Sequence, residues 1–141
     1  MTPEQGQPTP EELRVVLETG FYLREAGRLE DAEAVFRGLM ELLPDSDLPR
    51  VALGTVEMQR GRTGAALAAY EDALNLCPSS LYAHVHHAEA LLFDRRREEA
   101  EEELNQVIAS DPASPHSRTA RVLLDAAEAI CAQADNVGHR G

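Results

Sequence analysis

His84, His86 and His87 fall within four positions of the stretch LYAHVHHAEALLFD (81–94). Imidazoles at that density can ligate a metal, serve as a general base with neighbours, or pack. On a helix His84 and His87 lie three apart and share a face, while His86 points elsewhere. A zinc ion held by that pair needs a further His, Cys or carboxylate from another helix. His116, His139, Cys77 and Cys131 stand at no recognised ligand spacing. Cys77 with His84 could form a nucleophile–base pair, but no third group is placed to orient it. The acidic run EEAEEEL (98–104) could supply paired carboxylates or a calcium site. Acids in a helix's first turn complement its dipole, however, and the rest of the run reads as a solvated face. Neither a glycine-rich phosphate loop nor a G-x-S-x-G elbow occurs, and the 13 cations are all Arg, which removes Schiff-base lysines and Walker-type phosphate binding. The expectation is a protein without catalysis, metal or cofactor, in which His84 and His87 pack between helices.

The elements that position these residues must come from one domain of 141 residues, long enough to bury a core. Few aromatics, no Trp and abundant Ala, Leu, Glu and Arg favour helix over sheet. A formal charge of −12 opposes nucleic acid and anionic membrane surfaces as partners. No segment reaches the ~20 apolar residues of a membrane span, and MTPEQGQPTPEE at the N-terminus lacks the apolar run of a signal peptide. Two cysteines without CxxC spacing read as reduced thiols. A cytoplasmic protein without membrane insertion is expected.

The sequence also repeats. Pro44, Pro78 and Pro112 are 34 residues apart, and so are Ala32, Ala66 and Ala100. Phe36, Tyr70 and Leu104 keep the same interval, as do Gly20, Gly54 and Ala88, and Gly27, Gly61 and Arg95. This register sets repeats at 13–46, 47–80 and 81–114. In the middle repeat, apolar residues at helical spacing flank Arg60–Gly61–Arg62, which predicts two antiparallel helices with a turn at Gly61. Small Gly54 and Ala66 permit close approach, Tyr70 fills the space beside them, and Pro78 ends the second helix. Thr9–Pro10–Glu11–Glu12 offers an N-cap. Residues 115–134 read as a capping helix with Leu123, Ala127 and Ile130 inward. Residues 1–8 and 135–141 are expected to be disordered, leaving 9–134 as the domain.

Period and signature resemble the tetratricopeptide repeat, which implies an all-α solenoid of six antiparallel helices plus the capping helix. The resemblance also implies a concave groove lined by the second, fifth, ninth and twelfth positions of each repeat's first helix. Here these are Arg14, Leu17, Phe21 and Arg24, then Leu48, Val51, Thr55 and Met58, then Tyr82, Val85, Glu89 and Leu92. The alternative for any of them is burial by the array's own curvature or by the N-terminal segment. Clamps for chaperone C-terminal carboxylates use groove Lys and Asn. This chain has no Lys, and Asn75 and Asn105 fall on second helices. Such a lining, largely apolar, suits an extended or helical hydrophobic segment.

The third repeat is similar to that of the type III secretion chaperones that hold translocators, through His86, Ala88, Glu89, Leu91, Leu92, Glu99, Ala100, Glu101 and Leu104. His87 stands where that family has Ala, and Arg95 where it has Gly. The resemblance implies a bacterial cytoplasmic chaperone, non-enzymatic and ATP-independent, that holds a hydrophobic segment of a partner protein in its groove, with a homodimer among its states. The alternative is a repeat scaffold or adaptor that assembles another complex. The two share a fold and differ in ligand.

Overall fold

The computed structural model describes residues 6–138 and the side chains of residues 6–134. Among these residues seven helices follow one another: α1 (Pro10–Glu25), α2 (Leu29–Leu42), α3 (Leu48–Gln59), α4 (Thr63–Leu76), α5 (Leu81–Phe93), α6 (Arg97–Ser110) and α7 (Pro115–Gly138). No strand occurs among the described residues. The helices form three antiparallel pairs and a final helix, as the 34-residue period predicts. The Thr9 hydroxyl accepts from the Glu12 N–H and so caps α1, with Pro10 at its first position.

Each pair turns in the same way. Gly27 and Gly61 take left-handed φ values of 79° and 78°, and Arg95 takes 62° at the equivalent position. The following residue's N–H reaches back to Leu23, Glu57 or Leu91 at 2.9 Å in each case, closing a Schellman turn. The third repeat thus keeps its turn although a side chain stands where glycine is favoured.

Close packing within pairs rests on the absence of a Cβ. A methyl on Gly54 would overlap the Tyr70 ring, lying 2.7 Å from Cδ1 alone, and one on Gly20 would overlap Phe36 in the same manner. Two apolar clusters result. One gathers Ala32, Phe36, Leu39, Ala52, Leu53 and Val56 from the first two pairs. The other runs from Val51 and Tyr70 through Leu91 and Leu104 to Ala120, Leu123 and Ala127 of α7. Burial of those α7 residues, with Arg121, Asp125 and Glu128 exposed, gives the capping helix its sealing role. The helix extends to Gly138, past residue 134 where its pattern ended, because nothing before Gly138 breaks it. The disorder expected of residues 1–5 and 139–141 falls outside the described residues.

First helices of successive repeats touch one another (α1 with α3, α3 with α5), whereas second helices of successive repeats do not, among the described residues. The array therefore curves with α1, α3 and α5 on its inner side.

Candidate groove and its polar corner

On that inner side the expected residues divide. Leu17, Phe21, Arg24, Met58, Tyr82 and Glu89 are half-buried and reach the surface, and Arg14 and Leu48 are exposed. Val51 and Leu92 are fully enclosed at 0% exposure, Val85 is at 4% and Thr55 at 9%. Val51, Val85 and Leu92 are thus core residues, and none of them lines the cavities described below. Neighbouring first helices approach so closely that these positions on α3 and α5 are packed between helices, the burial by curvature that was the alternative for each position.

The surviving residues form two zones. Leu17 and Leu48, with Leu13, Leu39, Leu43 and Pro49, line an apolar cleft of about 280 Å³ between α1, α2 and α3. Further along, polar side chains join the apolar lining. A cavity of about 350 Å³ is bounded by Arg24 of α1, Thr55, Met58 and Gln59 of α3, and His86, Glu89 and Phe93 of α5, with Tyr70 of α4 also lining it. Arg24 lies over the Phe21 ring at 5.2 Å and donates to the Thr55 hydroxyl at 2.5 Å. Thr55 in turn donates to the Ala52 carbonyl at 2.6 Å, and the Gln59 amide donates to the Arg24 carbonyl at 3.1 Å. Tyr82 meets His86 edge to face at 5.0 Å, and Tyr70 lies 5.9 Å from the same imidazole.

Electrostatics follow from burial without partners. Desolvation, with Arg24 and His116 nearby, pushes the His86 pKa down to about 4, so the ring is neutral at pH 7. Burial raises the Glu89 carboxyl. It also raises the Tyr70 phenol, as does the charge of Glu89, while Arg24 acts in the opposite sense. Tyr70, His86, Gln59 and Phe93 were absent from the sequence-derived lining. Tyr70 lies on a second helix, and its ring reaches the inner face because Gly54 leaves room.

His84 and His87 behave differently. Both donate through Nδ1 to one carboxylate, Glu103 of α6, at 2.6 and 2.7 Å. His84 Nε2 also faces the Pro78 carbonyl at 2.7 Å. Acceptors facing both nitrogens favour the protonated ring of His84: the Glu103 hydrogen bond holds its pKa above the usual range, with that to Pro78 adding to it. Burial alone would raise Glu103, but the two histidine hydrogen bonds outweigh it and keep the carboxylate ionised. Glu103 is thus no part of a solvated face: it is 12% exposed and ties α5 to α6. This is helix packing with a polar lock. No group of His, Cys, Asp and Glu suited to a metal occurs among the described residues.

A larger depression of about 690 Å³ lies at the helix turns, lined by Arg28, Asp31, Glu33, Arg60 and neighbours. Its charges already neutralise one another, Arg60 binding Glu33 at 2.5 Å and Glu57 at 2.7 Å. No helix among the described residues is long and apolar enough to cross a membrane.

Three stacked helix pairs with a capping helix and a lined inner face have the fold of tetratricopeptide-repeat arrays, and residues 57–124 match the tetratricopeptide repeat family model. In fold the chain is similar to the translocator chaperones of type III secretion. SycD of Yersinia enterocolitica, in its alternative dimer, superposes with a TM-score of 0.71 at 25% identity, covering 85% of this chain and 94% of SycD. PcrH, known from Pseudomonas aeruginosa, in complex with the chaperone binding region of PopD, gives 0.70 at 23% identity, covering 90% and 98%. The first repeat domain of Spaghetti (RPAP3) bound to an HSP90 peptide gives 0.71 at 16%, covering 90% and 98%, a likeness of fold. No curated protein matches the sequence significantly.

Proposed function

We propose that this protein is a non-catalytic, cytoplasmic chaperone of bacterial type III secretion. It holds a short hydrophobic segment of a translocator in its inner groove until export. The observation that carries this reading is the half-exposed apolar series Leu17, Phe21, Leu48, Met58 and Tyr82 on the inner side, continuous at Leu17 and Leu48 with the apolar cleft. Apolar groups left there in contact with water favour a ligand that covers them. The likeness to PcrH carrying the PopD region supports the choice of partner class. A net charge of −12 keeps such a carrier soluble beside an aggregation-prone partner. Homodimerisation fits the reading as well, since Val15, Val16 and Tyr22 stand exposed on α1.

The test is co-purification from the native cell, with the retained partner identified by mass spectrometry. A translocator should be retained in high salt, because apolar contact is insensitive to screening. Leu17→Ala combined with Tyr82→Ala should abolish retention while helical circular dichroism persists. Retention through that double change, or release by salt alone, sinks the groove assignment and favours an adaptor that binds through its charged outer surface.

A further inference from the structure

Tyr70 is fully enclosed, yet its hydroxyl has no hydrogen-bond partner among the described residues. Buried hydroxyls are nearly always bonded, so an orphan on the wall of a ligand groove points to a group that arrives with the ligand. Two further side chains of the same cavity have capacity to spare. Arg24 uses one N–H on Thr55, and its remaining donors have no acceptor among the described residues. Glu89 accepts no hydrogen bond there, and the neutral His86 ring lies with Nδ1 at 4.0 Å, beyond bonding distance. Both charges are close enough to act on Tyr70, with opposite signs.

This combination discriminates between ligand side chains. An apolar group would dry the cavity and leave all three polar groups unmatched. A cation would suit Glu89 but meet Arg24, and an anion would meet Glu89. A carboxamide carries one acceptor and two donors without net charge, and so matches donors and acceptor together. Its methylene stem fits the apolar walls given by Met58 and Phe93. We propose that this corner is a specificity subsite for a Gln or Asn side chain of the bound segment. The amide oxygen accepts from Arg24 and the Tyr70 hydroxyl, and the amide nitrogen donates to Glu89. The subsite rests on the reading of the groove as a peptide site.

The test selects displayed random dodecapeptides on the full chain. The best sequence is then made synthetically and measured by fluorescence polarisation. Gln or Asn should recur at one position, and its replacement by Leu should weaken binding roughly ten- to hundredfold. Tyr70→Phe and Glu89→Leu should each weaken the Gln peptide by roughly tenfold and leave the Leu peptide unchanged, a coupling that a merely structural role would not produce. If no carboxamide recurs, or the variants bind both peptides as the wild type does, the subsite is refuted while the groove stands. Recurrent Lys or Arg sensitive to Glu89→Leu refutes it in favour of an ion pair. If no peptide is selected, or selected peptides ignore Leu17→Ala with Tyr82→Ala, the groove reading fails and the subsite falls with it.

Discussion

Helix α5 places histidines in two settings three residues or fewer apart, and they differ in partner and task. His84 and His87 point at α6, where one carboxylate takes a hydrogen bond from each. His86 points at the groove, among Tyr70, Tyr82 and Glu89, and is half-buried without a hydrogen-bond partner among the described residues. The first setting locks two helices through one carboxylate and leaves only His87 Nε2 without a hydrogen bond among the described residues. The second leaves hydrogen-bonding capacity unused in a place where a ligand can reach it. Burial raises the cost of both, and the difference lies in whether the fold itself supplies the partner.

The largest effect that could break this contrast is at Glu103. Glu103→Ala strands two imidazole donors between helices and should cost about 3 kcal/mol, read as a lower urea midpoint at unchanged slope. Glu89→Ala should change stability by less than about 0.5 kcal/mol, since Glu89 accepts no hydrogen bond among the described residues. Equal losses would erase the distinction.

Acid should separate the two settings next. The folded His86 pKa of about 4 lies below the ordinary 6.5, so the unfolded chain takes up that proton first. Stability should therefore fall as pH drops from 6.5 towards 4, by roughly 2–3 kcal/mol from this group. His86→Phe should remove that part of the fall in urea titrations at stepped pH. If both curves run parallel, His86 is not held neutral.

Base should act on His84 alone. Its folded pKa is raised, so its contribution is full below 6.5 and fades as pH climbs through the raised value. The same titrations carried to pH 9 should show a decline in the wild type that His84→Gln lacks. The effect is smaller than that of His86 because burial of His84 opposes the Glu103 hydrogen bond in setting its pKa.

Smallest is Tyr70→Phe in the free protein. Removing an unmatched hydroxyl while keeping the ring should raise stability by about 1 kcal/mol, seen as a higher thermal midpoint. A loss would mean that the hydroxyl already has a partner.

The architecture was legible because a 34-residue period constrains many positions at once. Proline, glycine and small-residue columns each mark a helix end, a turn or a contact, and they agree. Helix faces were legible too, but depth was not. Val51, Val85 and Leu92 share a face with Met58, Tyr82 and Glu89 only in angle, and the distance to the next first helix decides which of them reach water. Glu103 looked like one acid among several, because nothing local separates it from Glu102, which is exposed. Tyr70 was recognised as a filler beside Gly54, yet its approach to the groove from a second helix lies outside any single-helix pattern. His86 carried a signal, since it is the histidine pointing away from the packing pair.

The glycine–ring column also constrains inheritance. Gly54 with Tyr70, and Gly20 with Phe36, are tight fits, while the third repeat carries Ala88 with Leu104 at the same two positions, both fully buried. A mutational route from one arrangement to the other cannot begin at the glycine, because its first step collides with the ring. It must shrink the ring first, and at position 70 that step deletes the phenol from the groove. The order in which such a lineage can change is therefore written into a contact on the far side of α3.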